Sequence, residues 1–161
     1  MTDTTQQVAN DVKKALLFRL SKAKTGLILD HPFVGTIAMN MPFEVCYQTG
    51  FGMPVPTAGV DGKKVYFNPD FCGTLSDDEL LFLVAHECMH PMLEHNFRRG
   101  ERNHGKWNAA ADYVINKLLT DEGIGTMPKM GLLSEQVYRD GSGTSEGIYA
   151  ILPDDESGGE G

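Results

Sequence analysis

Five consecutive residues, His86-Glu87-Cys88-Met89-His90, constrain this chain more than any other stretch, because they read H-E-x-x-H within a run that favours a helix. At about 100° per residue, His86 and His90 stand about 40° apart, close enough to serve one metal ion. Glu87 lies about 60° round from His90, where a carboxylate meets a metal-activated water more naturally than the metal itself. Two imidazoles and a base on one side of a rod are what a hydrolytic zinc site needs.

The flanking residues support a helix. Ser76-Asp77-Asp78-Glu79 fits a capping box, with Ser76 as N-cap and Glu79 reaching back to its amide. Leu80 to Ala85 follow without a polar residue, as expected of a helix buried almost all round. Arg98 and Arg99 suit the negative end of the helix dipole, and Gly100 suits the left-handed position just beyond it, so the helix is expected to run to Gly100. Pro91 breaks the pattern; it removes one hydrogen bond and crowds the Glu87 carbonyl, predicting a kink or local widening. Cys88 points about 160° away from His90 and reads as a small buried residue.

Two histidines leave a catalytic zinc one protein ligand short. On a continuous helix His95 points about 180° from His86, and Glu94 lies a full turn along the axis from His90. His104 sits in the polar loop at residues 101–105 and reads as an exposed loop histidine. Asp112 is the stronger candidate: Asn108, Asp112 and Asn116 recur every four residues, a polar stripe flanked by Ala109, Ala110 and Ala111. Small neighbours permit a close approach to the first helix.

Elsewhere, residues 8–23 read as an amphipathic helix and residues 107–119 as another. Residues 33–41 and 43–47, rich in branched and aromatic side chains, read as strands broken at Pro42. Asp61-Gly62 offers a turn before a strand at residues 63–68, read either as an edge on which an extended peptide docks or as a structural hairpin that shields the core. A loop-rich stretch follows Thr120, and a short helix is expected at residues 145–152. The first 152 residues are expected to form one domain, and residues 153–161, acidic and glycine-rich, a tail or linker.

An excess of 22 acidic over 14 basic residues, net −8, argues against nucleic acid and anionic membranes as partners. The first residues lack a signal peptide's basic and apolar regions, no apolar stretch approaches the ~20 residues that span a bilayer, and three scattered cysteines suit reduced thiols. A cytoplasmic location is expected.

Taken together, the 85–90 run, Arg98-Arg99-Gly100, Trp107-Asn108 and the 111–116 run resemble the metallopeptidase domain that precedes a von Willebrand factor A-like domain in bacterial and phage proteins. The resemblance covers most of the chain, and residues 145–152 are similar to that domain's closing segment. It implies a zincin-like α+β fold, with a small, mainly antiparallel sheet packed on the long H-E-x-x-H helix and on a second ligand-bearing helix. It implies Zn2+ held by His86, His90 and Asp112, with Asn116 as the polar partner of a ligand histidine; Asn108, on the same stripe, is expected to support the ligands as well. The function expected is that of a zinc-dependent metallopeptidase, a hydrolase in which Glu87 takes a proton from the attacking water and hands it to the leaving amine. Tyr113, Tyr149, His95 and His104 are candidates for a further oxyanion donor. A non-catalytic, zinc-stabilised module that binds peptide or protein is the alternative, against which the intact Glu87 weighs. Expected partners are a peptide or protein substrate and a von Willebrand factor A-like domain or partner ATPase.

Overall fold

The computed structural model describes residues 2–93 and 98–154, with side chains from residue 4 onward. Helix α1 (Thr2–Asp30) is longer than its amphipathic stretch alone suggests. Leu16, Leu20, Ala23 and Leu27 are buried at helical spacing, whereas residues 4–15 are exposed throughout. The first half of α1 lies at the surface, where it borders a groove with residues 46–48, Pro69 and Asp70.

Residues Pro32–Met39 form helix α2, not the strand their composition favours. Pro32 at the start of the helix supplies a preset φ, and Gly35 lets α2 cross the end of α1. A β-carbon at Gly35 would fall 2.4 Å from the Ile28 backbone, so the crossing requires glycine.

Three short strands follow: β1 (Phe43–Val45), β2 (Ala58–Val60) and β3 (Val65–Phe67). Their order is β1-β3-β2, with β3 parallel to β1 and antiparallel to β2, so the sheet is evenly mixed where a mainly antiparallel one was expected. Val65 and Phe67 are wholly buried, which draws β3 into the centre. Of the two roles open to this strand the edge is excluded: β3 is hydrogen-bonded on both sides, forms a hairpin with β2, and leaves β1 and β2 as the edges.

Asn68 caps α3 (Pro69–Gly73) by accepting from the Asp70 and Phe71 amides. Ser76 then opens α4 (Asp77–Met92) with a complete capping box: its hydroxyl accepts from the Glu79 amide at 3.1 Å and its own amide donates to Glu79 Oε1 at 3.0 Å. Helix α4 passes through Pro91 and ends at Met92, well short of Gly100. Pro91 has no amide to donate to the Glu87 carbonyl, yet the helix continues past it and the Leu93 amide closes it on the Met89 carbonyl at 3.0 Å. Arg98 still serves the helix end by donating to the Leu93 carbonyl, while its other nitrogens pair with Glu146.

Asn103 caps α5 (His104–Asp121), starting it three residues before the predicted helix at 107–119. Helices α6 (Glu135–Asp140) and α7 (Ser145–Ile151) close the fold, the latter matching the expected short helix at 145–152. The main core joins α1, α2, α4 and the sheet, and a second cluster gathers Ala109, Ala110 and Val114 of α5 around Ile148 of α7. Between α5 and α6 the chain returns over the start of α4. Gly125, at φ +63°, sits where a β-carbon would fall 2.4 Å from the Asp78 carbonyl, and the Thr126 amide donates to that same carbonyl. Among the described residues no helix is long and apolar enough to cross a membrane.

Candidate metal centre

The capping box and an uninterrupted run of buried residues at 82–90 fix α4 deep in the domain, so His86, Glu87 and His90 are held on a rigid rod. Helix α5 packs on α4 through Ile115 and Leu119, both buried in the main core, while Ala109 and Ala110 face α7. This brings Asp112 against both histidines.

His86 Nε2 lies 3.1 Å from Asp112 Oδ1, His90 Nε2 lies 3.3 Å from the same oxygen, and the two nitrogens are 3.2 Å apart. The three donors form a nearly equilateral triangle. Ligands bound tetrahedrally at about 2.0–2.1 Å stand about 3.3–3.4 Å from one another, so the triangle has the size that a zinc-like ion requires. Nitrogen and oxygen donors suit such an ion, and all three residues are buried. Among the described residues, these three are the ones gathered into a group able to hold a metal.

Asn116 sets the orientation of one ring. Its Nδ2 donates to the Leu132 carbonyl at 2.9 Å, a partner that can only accept. The amide oxygen must then face His86 Nδ1, at 2.8 Å, and accept its proton. The inward Nε2 is therefore the nitrogen directed at Asp112 and His90.

Burial disfavours charge on His86, but the Asp112 carboxylate beside it, with Glu87 and the Asn116 contact, outweighs that and pushes its pKa up to about 9. At neutral pH the metal-free fold thus favours the protonated His86 ring beside the Asp112 carboxylate. Glu87 is wholly enclosed. Burial, with the Glu87 charge adding to it, raises the thiols of Cys72 and Cys88 to about 12. Cys88 is buried in the main core and stands outside the metal-ligating group, as its helical direction predicts.

Two cavities flank the triangle. A cleft of about 370 Å³ runs between the β2 edge, the loop at residues 49–56 and the side chains of His90, His104 and Asn108. A smaller apolar cavity, about 40 Å³, has His86 and Asp112 in its wall.

Asn108 supports His104, not a ligand as expected: its carboxamide lies 3.1 Å from His104 Nε2. Arg99 Nη1 contacts His104 Nδ1 and, because a guanidinium only donates, Nδ1 accepts; Nε2 then carries the proton, and the Asn108 carboxamide must present its oxygen to it rather than Nδ2. His104 is exposed, as expected, but it lines the cleft from the first turn of α5. A sequence signal for it exists, since His104 continues the four-residue stripe of Asn108, Asp112 and Asn116. Tyr149 accepts from the Asn103 amide and faces Arg102 and Lys106, while Tyr113 packs in the second core cluster. Glu94 and His95 lie outside the described residues.

Fold and site together define a class: an α+β domain with a buried cluster of two histidines and one aspartate that could bind a metal ion. The chain belongs to the family described as "Putative metallopeptidase domain", which matches residues 17–161. No curated protein and no solved structure matches it.

Proposed function

We propose that the chain is a zinc-dependent peptidase whose centre is the His86–His90–Asp112 triangle. The near-equal spacing of those three donors beside an open cleft carries this reading. A zinc ion held there would supply a Lewis acid that acidifies water and polarises a carbonyl.

The remaining work falls to side chains. Glu87, one residue after His86, takes the proton of the attacking water and returns it to the departing amine. Asn116 keeps His86 Nδ1 protonated, so that Nε2 stays free for the ion. His104 is the favoured oxyanion donor among the candidates, because its ring lines the cleft that His90 also lines. The β2 edge on the opposite wall offers main-chain groups to an extended peptide. A von Willebrand factor A-like domain or an ATPase remains our proposal for a protein partner, resting on the sequence resemblance.

One observation favours a second reading, a zinc-stabilised peptide-binding module without turnover: Glu87 has no exposed surface and lines neither cavity. Incubating metal-loaded wild type and Glu87→Gln with a diverse peptide library separates the two. The peptidase reading expects cleavage by wild type alone with equal metal content in both proteins; equal cleavage by both would remove Glu87 as base, and none by either would favour the binding module.

A further inference from the structure

The smaller cavity shares two walls with the triangle, since His86 and Asp112 border both. Apart from Asn116, its other walls are mainly apolar: Phe82 and Leu83 from α4, and Pro128, Met130 and Leu132 from the returning chain. That chain is pinned at both ends of the wall, by the Thr126 amide on the Asp78 carbonyl and by Asn116 on the Leu132 carbonyl. Between the pins, the Gly131 amide donates to the Pro128 carbonyl at 2.9 Å and closes a turn that carries Met130. Met130 is 56% exposed, an unbranched side chain at the mouth of an otherwise fixed pocket.

The volume decides what fits. One water needs about 10–15 Å³ on this scale and benzene occupies a cavity of roughly 150 Å³. About 40 Å³ therefore suits a methyl or isopropyl group and excludes a ring. With Asp112 and His86 committed to the ion, a charged group would lose its hydration against Phe82 and Leu83 without a partner of opposite sign.

We infer that this cavity receives a small aliphatic side chain, alanine- or valine-sized, from the peptide residue next to the bond that is cleaved, and that Met130 sets the size limit. The inference rests on the peptide-processing reading of the site. His90 is the corner of the triangle that lines the cleft, and His86 and Asp112 are the corners that line the cavity, so a chain lying along the β2 edge and crossing the triangle would bring its next side chain towards the cavity. The pinned wall makes the limit firm, and removing the Met130 side chain relaxes it.

The experiment compares zinc-loaded wild type and Met130→Ala on peptides identical except at the positions flanking the bond, which carry Ala, Val, Leu, Phe or Lys in turn. Wild type should favour Ala or Val over Phe and Lys at one flanking position by at least about tenfold in kcat/KM, and Met130→Ala should shift that preference towards Leu and Phe by a similar factor. Preferences unchanged by Met130→Ala, or a preference for Lys, would overturn the inference while leaving the peptidase reading intact. The same peptides are titrated calorimetrically into the metal-free proteins and into Glu87→Gln with and without Met130→Ala. If wild type cleaves nothing, the peptidase reading fails. The pocket is then decided by affinity: a Val-over-Phe preference that Met130→Ala reverses supports it, and equal affinities or no binding overturn it. Circular dichroism and the Tm of Met130→Ala establish that the variant folds.

Discussion

The Asn116 carboxamide oxygen lies 2.8 Å from His86 Nδ1, thirty positions away in the chain, and decides which nitrogen of that ring faces the triangle. The opposite end of the same amide holds the Leu132 carbonyl. One side chain thus ties a candidate ligand on α4 to the loop that walls the smaller cavity.

Asn116→Ala should weaken metal binding by about 10- to 100-fold, the usual loss when the hydrogen-bond partner of a ligand histidine is removed. Competition against a chromophoric chelator measures it. Asn116→Asp keeps an acceptor for Nδ1 but loses the donor to Leu132, so it should recover part of the affinity; a loss equal to that of the alanine variant would contradict the tautomer argument.

Asp112→Ala should abolish stoichiometric metal binding, since two histidines alone leave the ion short of a protein ligand. Full zinc occupancy in that purified variant, read by elemental analysis, would exclude Asp112 as a necessary ligand. In the metal-free protein, Asp112→Asn should also lower the His86 pKa from about 9, because the carboxylate that favours the imidazolium is gone. Histidine NMR titration follows the change directly.

Metal affinity should depend on pH in a defined window. His86 holds its proton up to about pH 9 in the metal-free fold, against an ordinary value of 6.5. Below pH 9 each ion must displace that proton, so the apparent affinity should rise about tenfold per pH unit and flatten above it. The sign for stability is opposite. A raised folded-state pKa stabilises the metal-free protein fully below about pH 6.5, and the contribution fades as pH rises through 9. Thermal unfolding of the chelated protein at pH 6 and pH 9.5 tests this, and a stabilisation that grows with pH would contradict it for this group.

His104→Ala should reduce peptide cleavage by about a hundredfold or more, the usual loss of one oxyanion donor, with metal content unchanged. The decrease should appear in kcat rather than KM. A variant with wild-type kcat would remove His104 from the chemistry.

Gly125→Ala should destabilise the fold by about 1–3 kcal/mol, because its β-carbon meets the Asp78 carbonyl and its φ is positive. A Tm equal to wild type would show that the returning chain is free to shift.

The sequence revealed helix α4 and its neighbour because their signals are local: a capping box, a buried run and a polar stripe of period four. Asp112 and Asn116 were legible for the same reason, and the structure brings both to the histidines. Asn108 shares the stripe but sits one turn nearer the start of α5, where it meets His104. Helix α2 was hidden, since its branched and aromatic composition favours a strand while Pro32 and the Gly35 crossing favour a helix. Strand order was equally out of reach, because three-residue strands carry too little pattern to say which one lies in the middle. The pocket under Met130 depends on contacts between distant residues, Thr126 with Asp78 and Asn116 with Leu132, and no local pattern announces those.

The triangle has a consequence for how the protein acquires an ion. Its corners already stand at ligand spacing across two packed helices, with the His86 proton held among them. Charging the site is then an exchange of proton for cation inside a finished fold, with little of the ordering entropy that a zinc finger must overcome. The empty chain is expected to keep its shape, and the identity of the resident metal to follow the supply at the moment of loading rather than the history of folding.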